Sequence, residues 1–311
     1  MQNKRIAILF AGMPRFYEEC SGSILNFFDT KEWDVDFFIH SWTNCWLNKY
    51  RQKEELVLNH DKNLLEDNLS TIYKPKSILV EDQLKCEEIL NSYDLFKKAI
   101  LLTDKNFQSL FAKENWRYKF EDISYFLNNL NAGQLYSIGK ASTMRAEYEL
   151  ENDFKYDLVI RYRLDNILEP NKKLEKYLDK IYKTITNPQN PYPNNPVNCV
   201  GACAVNWVMI IKNQLHVGDR MFASDSEGFD VFNNLLGYQM RRVLKYICAN
   251  SDDHFFSCPE ACIGSLIQDR GFLAAKCFDV NIINYRESFK ELEDQSWESL
   301  IKHWNKNKLW L

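Results

Sequence analysis

Arg161, Arg163 and Asp165 alternate at the end of an apolar run that reads Tyr156-Asp157-Leu158-Val159-Ile160-Arg161-Tyr162-Arg163-Leu164-Asp165-Asn166. Val, Ile, Leu and Tyr favour a buried strand, where unpaired charges are expensive to desolvate. Strand alternation puts Arg161, Arg163 and Asp165 on one face and Ile160, Tyr162 and Leu164 on the other. Open α/β folds place their ligands at the C-terminal ends of such strands. Two guanidiniums and a carboxylate there suit a phosphorylated ligand, with Asp165 left to hold a divalent metal. The competing expectation is a local Arg–Asp ion pair at a strand end.

A second group gathers behind the first apolar run, in the turn Ala11-Gly12-Met13-Pro14-Arg15. Gly12 lets backbone come close to a ligand, and Pro14 stiffens the turn. Arg15 falls near the start of a predicted helix, where free amides and the dipole favour an anion. Together they read as a diphosphate grip; an ordinary strand-to-helix turn with a surface arginine is the plainer alternative. A further run, Phe37-Phe38-Ile39-His40-Ser41-Trp42, carries His40 and Trp42 towards the same end of the sheet. Trp42 is expected to wall a nucleotide pocket and His40 to meet a phosphate or hydroxyl, against the plainer reading of His40 as a satisfied structural residue. Asp252-Asp253-His254 has metal-binding residue types but reads as a polar turn.

These residues need elements to hold them. Strands are predicted over 5–11, 33–41 and 76–81, with a helix over 17–28. The polar stretch 48–68 shows helical spacing at Leu56, Leu58, Leu64 and Leu65, and another helix is predicted over 85–96. Residues 99–122 stay ambiguous. Leu135, Ile138, Ala141, Met144 and Tyr148 form one stripe of a helix over 132–152 that delivers the chain to the 156–165 strand. Strands in alternation with helices predict a mostly parallel sheet with helices on both faces. Further on, the spacing predicts a loop over 187–198, strands over 205–211, 215–223 and 273–285, and helices over 229–248 and from Pro259 to about Asp269. The organisation expected is one domain over 1–286, with a nucleotide-binding half (1–170) and an acceptor-side half (171–286), and a helical tail over 287–311. Trp297, Leu300, Ile301 and Trp304 lie at helical spacing in that tail, which is expected to pack back on the body or touch a membrane surface.

Composition narrows the class. The chain has 311 residues, 45% hydrophobic and 14% aromatic, enough for a sizeable core and unlike a disordered chain. A net charge of −4 argues against a dedicated nucleic-acid binder. Nine scattered cysteines with no CxxC pair are expected to be reduced thiols of a cytoplasmic protein. No stretch is long enough to span a bilayer as a helix. The apolar run behind Lys4-Arg5 is too short for a signal peptide and ends at Pro14-Arg15, so a first core strand is expected. Walker, GxGxxG and HExxH motifs are absent.

Four of these segments occur in an order that resembles a known group. They are 6–15, 36–42, 74–81 and 156–165. The chain resembles the GT-A-type glycosyltransferases encoded by large viruses and by bacterial surface-polysaccharide clusters. His216-Val217-Gly218-Asp219-Arg220-Met221-Phe222 and Cys258-Pro259-Glu260-Ala261 resemble that group too. The resemblance implies a GT-A-like (Rossmann-like) α/β fold, a nucleotide-sugar donor such as a UDP or GDP sugar at the C-terminal edge of the sheet, and a glycan acceptor. It also implies a divalent cofactor, Mn²⁺ or Mg²⁺, held by a DxD motif. Arg163-Leu164-Asp165 stands where DxD is expected, so Asp165 keeps the last carboxylate while Arg163 replaces the first and can itself neutralise phosphate charge. Gly12, Arg15, His40, Trp42, Arg161, Arg163 and Asp165 are the expected donor-binding residues. Inverting transfer needs a carboxylate to take the acceptor's proton, and Asp219 and Glu260 are the candidates, with Asp219 favoured because it leaves an apolar strand. The alternatives are a sugar nucleotidyltransferase, which the lone Gly12 fits poorly, and a catalytically degenerate glycan-binding module.

Overall fold

β1 (Lys4–Gly12) is buried from Ile6 to Ala11 and is an interior strand of the main sheet. Its alternate residues feed two different cores. Ile6, Ile8 and Phe10 face one, while Ala7, Leu9 and Ala11 face the other. A strand buried on both faces reads as a continuous apolar run, as in parallel sheets covered by helices on either side. The computed structural model describes residues 4–48, 55–82, 88, 132–169, 172–187, 201–206, 208–211, 214–249, 259–278 and 282–284.

From β1 the chain passes through α1 (Tyr17–Phe28) to β2 (Trp33–Trp42), which lies parallel to β1. A hairpin of β3 (Asn44–Asn48) and β4 (Glu55–Asn59) leads to α2 (Lys62–Tyr73) and β5 (Ser77–Glu81), parallel to β2. The long helix α3 (Ala132–Glu151) returns the chain to β6 (Leu158–Tyr162), on the other side of β1. Then come β7 (Asn166–Leu168), α4 (Glu175–Thr186), β8 (Gly201–Val205), β9 (Val208–Ile211), β10 (Gln214–Val217) and β11 (Met221–Ser224). The last described elements are α5 (Ser226–Phe229), a 3₁₀ turn (Asp230–Phe232), α6 (Leu235–Ala249), α7 (Pro259–Asp269), β12 (Phe272–Lys276) and β13 (Ile282–Asn284).

The result is a seven-stranded sheet ordered β12-β8-β11-β6-β1-β2-β5. All neighbours run parallel except β11, which is antiparallel to β6 and to β8. Residues of α1, α2 and α4 cover the face of Ile8 and Tyr162, and residues of α3, α6 and α7 cover the face of Leu9 and Val159. The expectation of an α/β chain with a mostly parallel sheet between helices is therefore met at that level.

Several expected elements are drawn differently. The helical reading of 48–68 gives way to β4 and a helix that starts at Lys62. Leu56 and Leu58 are two apart, the strand period, whereas Leu65 and Leu69 are four apart and buried on α2. Asp61 accepts from the Leu64 amide at 2.9 Å and fixes the helix start. The predicted strand over 205–211 splits into β8 and β9 around Asn206. The strand over 215–223 breaks at Gly218-Asp219-Arg220 into β10 and β11, so Asp219 lies in a turn and not within a strand. The helix over 229–248 is interrupted by Asn233 and Asn234, and Asn234 accepts from Gly237 to open α6. The 273–285 pass becomes β12 and β13, which pair in different sheets. Helix α4 was missed, though Leu178, Ile181 and Ile185 bury one stripe at helical spacing. The predicted helix over 85–96 (Glu88 apart), the loop from 188 onwards, the turn 252–254 and the tail over 287–311 lie outside the described residues. Among the described residues no helix is long and apolar enough to cross a membrane.

Candidate active site

The candidate residues converge on one edge because of strand direction. β1 and β6 run parallel, so the turn after Gly12 and the residues after Tyr162 emerge side by side. β11 runs the other way, with Met221 opposite Tyr162, so the turn that precedes it returns to that same edge carrying Asp219. Helices joined to parallel strands run antiparallel to them, which brings the N-termini of α3 and α7 to this edge with Gln134 and Glu260 in their first turns. Helix α7 is seated closely on β10: a Cβ at Gly264 would run into the Leu215 carbonyl. The amide-rich starts of two helices therefore add partial positive charge beside the arginines.

Asp165 is the hub. Its two oxygens accept from the Arg163 fork, Nε to Oδ1 at 2.8 Å and Nη2 to Oδ2 at 2.8 Å. Arg15 Nη2 reaches Oδ2 at 2.9 Å. The third nitrogen of Arg163, Nη1, turns to Asp219 Oδ2 at 3.3 Å, and Gln134 Nε2 donates to that same oxygen at 2.7 Å. Burial works against the charge on Arg163, but Asp165 and Asp219 outweigh it and hold the guanidinium firmly protonated. Burial pushes the Asp219 carboxyl up, yet Arg163, Arg161 and the Gln134 amide pull it below the usual carboxylate range. Asp219 is ionised, and its proton affinity is correspondingly low. The ion-pair expectation for the end of the strand is thus met by Arg163 and Asp165, with Arg15 added to it.

Arg161 is different. It lies 1% exposed on the Leu9 and Phe222 rungs of the sheet, and none of its three guanidinium nitrogens has a hydrogen-bond partner among the described residues. Burial lowers its pKa to about 10; Asp219, Asp165 and Glu260 resist that and Arg163 adds to it. A buried cation with its donors unmet costs several kcal/mol until acceptors are supplied to it. Arg220, next to Asp219, donates to the Ile282 carbonyl at 2.7 Å and ties β13 to the site.

His40 and Trp42 have other roles. His40 is fully buried, with Nδ1 at 2.7 Å from Ser137 Oγ and Nε2 at 2.9 Å from Glu81 Oε2. The neutral tautomer with its proton on Nε2 satisfies both contacts, and burial, the leading cause, lowers its pKa in spite of Glu81. Both nitrogens are committed, so the expectation that His40 meets a ligand finds no free atom. The acid–imidazole–hydroxyl order imitates a nucleophile relay, but Ser137 is wholly buried and serves structure. Trp42, 1% exposed, packs against Gly133 and Tyr136 at the start of α3. Gly12 has a φ of 125°, closed to most side chains, and a Cβ there would meet no atom of the described residues within 4 Å. Phe16 is also left-handed, at φ 53°, just before α1. Backbone strain of this kind gathers at functional edges. Gln134 was not foreseen, because an isolated glutamine at a helix start carries no signal until Asp219 is brought opposite it.

The expected divalent metal can be tested on these donors. Both oxygens of Asp165 already accept from guanidiniums, and Asp219 shares Arg163 with it. A cation at Asp165 would have to displace two arginines and lie among their like charges. Among the described residues no group of three or more His, Cys, Asp or Glu side chains is placed to hold a metal ion. The residues present do not fit the group, because both oxygens of Asp165 are already bound by guanidiniums. No family model matches this sequence, and no curated protein matches it.

Proposed function

We propose that this chain is a GT-A-like glycosyltransferase that moves a sugar from a nucleoside-diphosphate donor, a UDP or GDP sugar, to a glycan acceptor. The observation that carries the reading is Arg161: a buried guanidinium without a hydrogen-bond partner among the described residues, at the C-terminal edge of a mostly parallel sheet, beside Arg163, Asp165 and the Gly12 turn. A diphosphate supplies the acceptor oxygens that Arg161 lacks. Gly12 and Arg15 line the approach, and Asp165 holds Arg15 and Arg163 in register for the phosphates.

The acceptor oxygen attacks the anomeric carbon, the bond from that carbon to the β-phosphate oxygen breaks, and the nucleoside diphosphate leaves. The cations stabilise charge that grows on the departing phosphate. The acceptor's proton needs a carboxylate. Asp219 binds both Gln134 and Arg163 and is a weak base, so it orients the site, and Glu260, partly exposed at the start of α7, takes the proton. This reverses the preference that sequence order alone suggests. Among the described residues the buried cysteines Cys20, Cys203, Cys262 and Cys277 form no disulfide, which suits a reducing compartment such as the cytoplasm.

Release of nucleoside diphosphate from UDP and GDP sugars, measured with and without glycan acceptors, tests the reading. Acceptor-stimulated release is expected. Donor binding with no release under any acceptor would make the chain a degenerate binding module, and formation of a nucleotide-sugar from a sugar phosphate would make it a nucleotidyltransferase.

A further inference from the structure

Four guanidiniums, those of Arg15, Arg161, Arg163 and Arg220, share this edge with three carboxylates, Asp165, Asp219 and Glu260. Arg163 is bound on both sides by Asp165 and Asp219, and Arg15 is bound to Asp165. The surplus is concentrated on Arg161, which is 1% exposed and has three nitrogens without a hydrogen-bond partner among the described residues. A divalent cation and a guanidinium are alternative ways to neutralise a diphosphate. Both cannot occupy Asp165, whose oxygens already carry three guanidinium contacts of 2.9 Å or less.

We propose that this edge is a metal-free diphosphate site, in which Arg161 binds the bridging and β-phosphate oxygens directly and Arg163 and Arg15, held by Asp165, complete the charge that a metal would otherwise supply. The inference rests on the glycosyltransferase reading for the identity of the donor, but not for the anion. Arg161 presents a planar fork that matches two phosphate oxygens at once. The first turns of α3 and α7 add amide groups of the same sign beside it. Asp219 is then the group that keeps Arg163 turned inward when no anion is present, through its 3.3 Å contact.

Calorimetric titration of the full chain with pyrophosphate, UDP and GDP, in EDTA and in Mn²⁺, tests this. We expect pyrophosphate and one of the nucleotides to bind in EDTA within about threefold of their affinity in Mn²⁺, with affinity that falls as salt is raised. Arg161→Met should weaken both about ten- to hundredfold, the loss of a charge-assisted contact, without lowering the melting temperature, while Arg161→Lys restores part of the binding. Pyrophosphate bound in EDTA with neither nucleotide bound would uphold the metal-free site and remove the glycosyltransferase reading. Nucleotide binding that requires Mn²⁺ would overturn the metal-free site and leave that reading standing. Unchanged pyrophosphate binding by Arg161→Met, or no pyrophosphate binding in either buffer, would also overturn the site.

Discussion

Arg145 and Arg161 are both buried on the side of the sheet that α3 covers, and their surroundings are opposite. Arg145 Nη1 donates to Glu149 at 2.7 Å and Ser226 at 2.6 Å, and Nη2 donates to Asp230 at 2.6 Å and Ser142 at 3.4 Å. Glu149 is in turn bound by Lys155, Ser226 and the Tyr156 amide. This network clamps α3 to the start of β6 and to the turn after β11. Arg161, equally desolvated, has no hydrogen-bond partner among the described residues. The fold evidently can surround an arginine with partners where the arginine serves the fold. On the proposed reading Arg161 is kept for an anion, so stability and function should separate at these two positions.

The largest effect is expected at Arg145. Arg145→Met removes the buried guanidinium that joins Glu149, Ser226 and Asp230 and leaves Glu149 only the exposed Lys155 as a cation among the described residues, and breaking a buried pair costs about 3–5 kcal/mol. Urea unfolding followed by circular dichroism should show this as a lower midpoint at constant slope. A loss below about 1 kcal/mol would erase the contrast by showing that the network is weakly coupled.

At the working edge the loss should fall on rate. Glu260→Gln removes the proposed base and should lower turnover by about two to four orders of magnitude, with donor binding kept. Asp219→Asn should act more on donor affinity than on turnover, because the carboxylate positions Arg163. If Asp219→Asn loses turnover and Glu260→Gln keeps it, the two roles are exchanged.

Arg161→Met should lower turnover by about two to three orders of magnitude, the range for loss of a preorganised donor at developing charge. Its stability should stay level or rise, since an unpaired buried charge is removed. This is the sharpest form of the comparison: the same substitution at Arg145 and Arg161 should move opposite observables. Equal destabilisation at both would end it.

The smallest effect concerns pH. Burial depresses the pKa of His40 below its ordinary value of 6.5, so the unfolded chain binds the proton first. Stability should fall as pH drops from about 6.5 towards the depressed folded value. Below the ordinary carboxylate range, Glu81, Glu149 and Asp219, all held low in the fold, should add further loss as they protonate. Urea melts at pH 7, 6 and 5 would read the first part; His60 and His216, also lowered by burial, add to it, so His40→Asn should reduce the slope without abolishing it.

Period and punctuation in the chain made much of the frame legible. The apolar runs of β1, β2 and β5 and the stripe of α3 appear with nearly correct limits, because alternation and 3.6-residue spacing report burial directly. The breaks were harder. Asn206 and Gly218-Asp219-Arg220 sit inside apolar stretches, and only pairing with particular neighbours shows that the chain turns there. His40 and Trp42 looked like ligand residues because strand position reveals which end a side chain occupies, not what covers it; α3 covers both.

The sequence by itself determined the α/β alternation, the buried character of the Arg161 strand and the unusual presence of charge at its end, since these depend on local residue order and on the cost of burying charge. Tertiary structure decided which charges meet. The reversal of β11 alone returns Asp219 to the edge where Arg163 emerges, the packing of α3 brings Gln134 against it, and the Arg163 fork closes on Asp165. Those contacts join residues as far as 85 positions apart, and they leave Arg161 over. Pairing between charges depends on distance in space, which strand direction and helix placement settle and residue order does not.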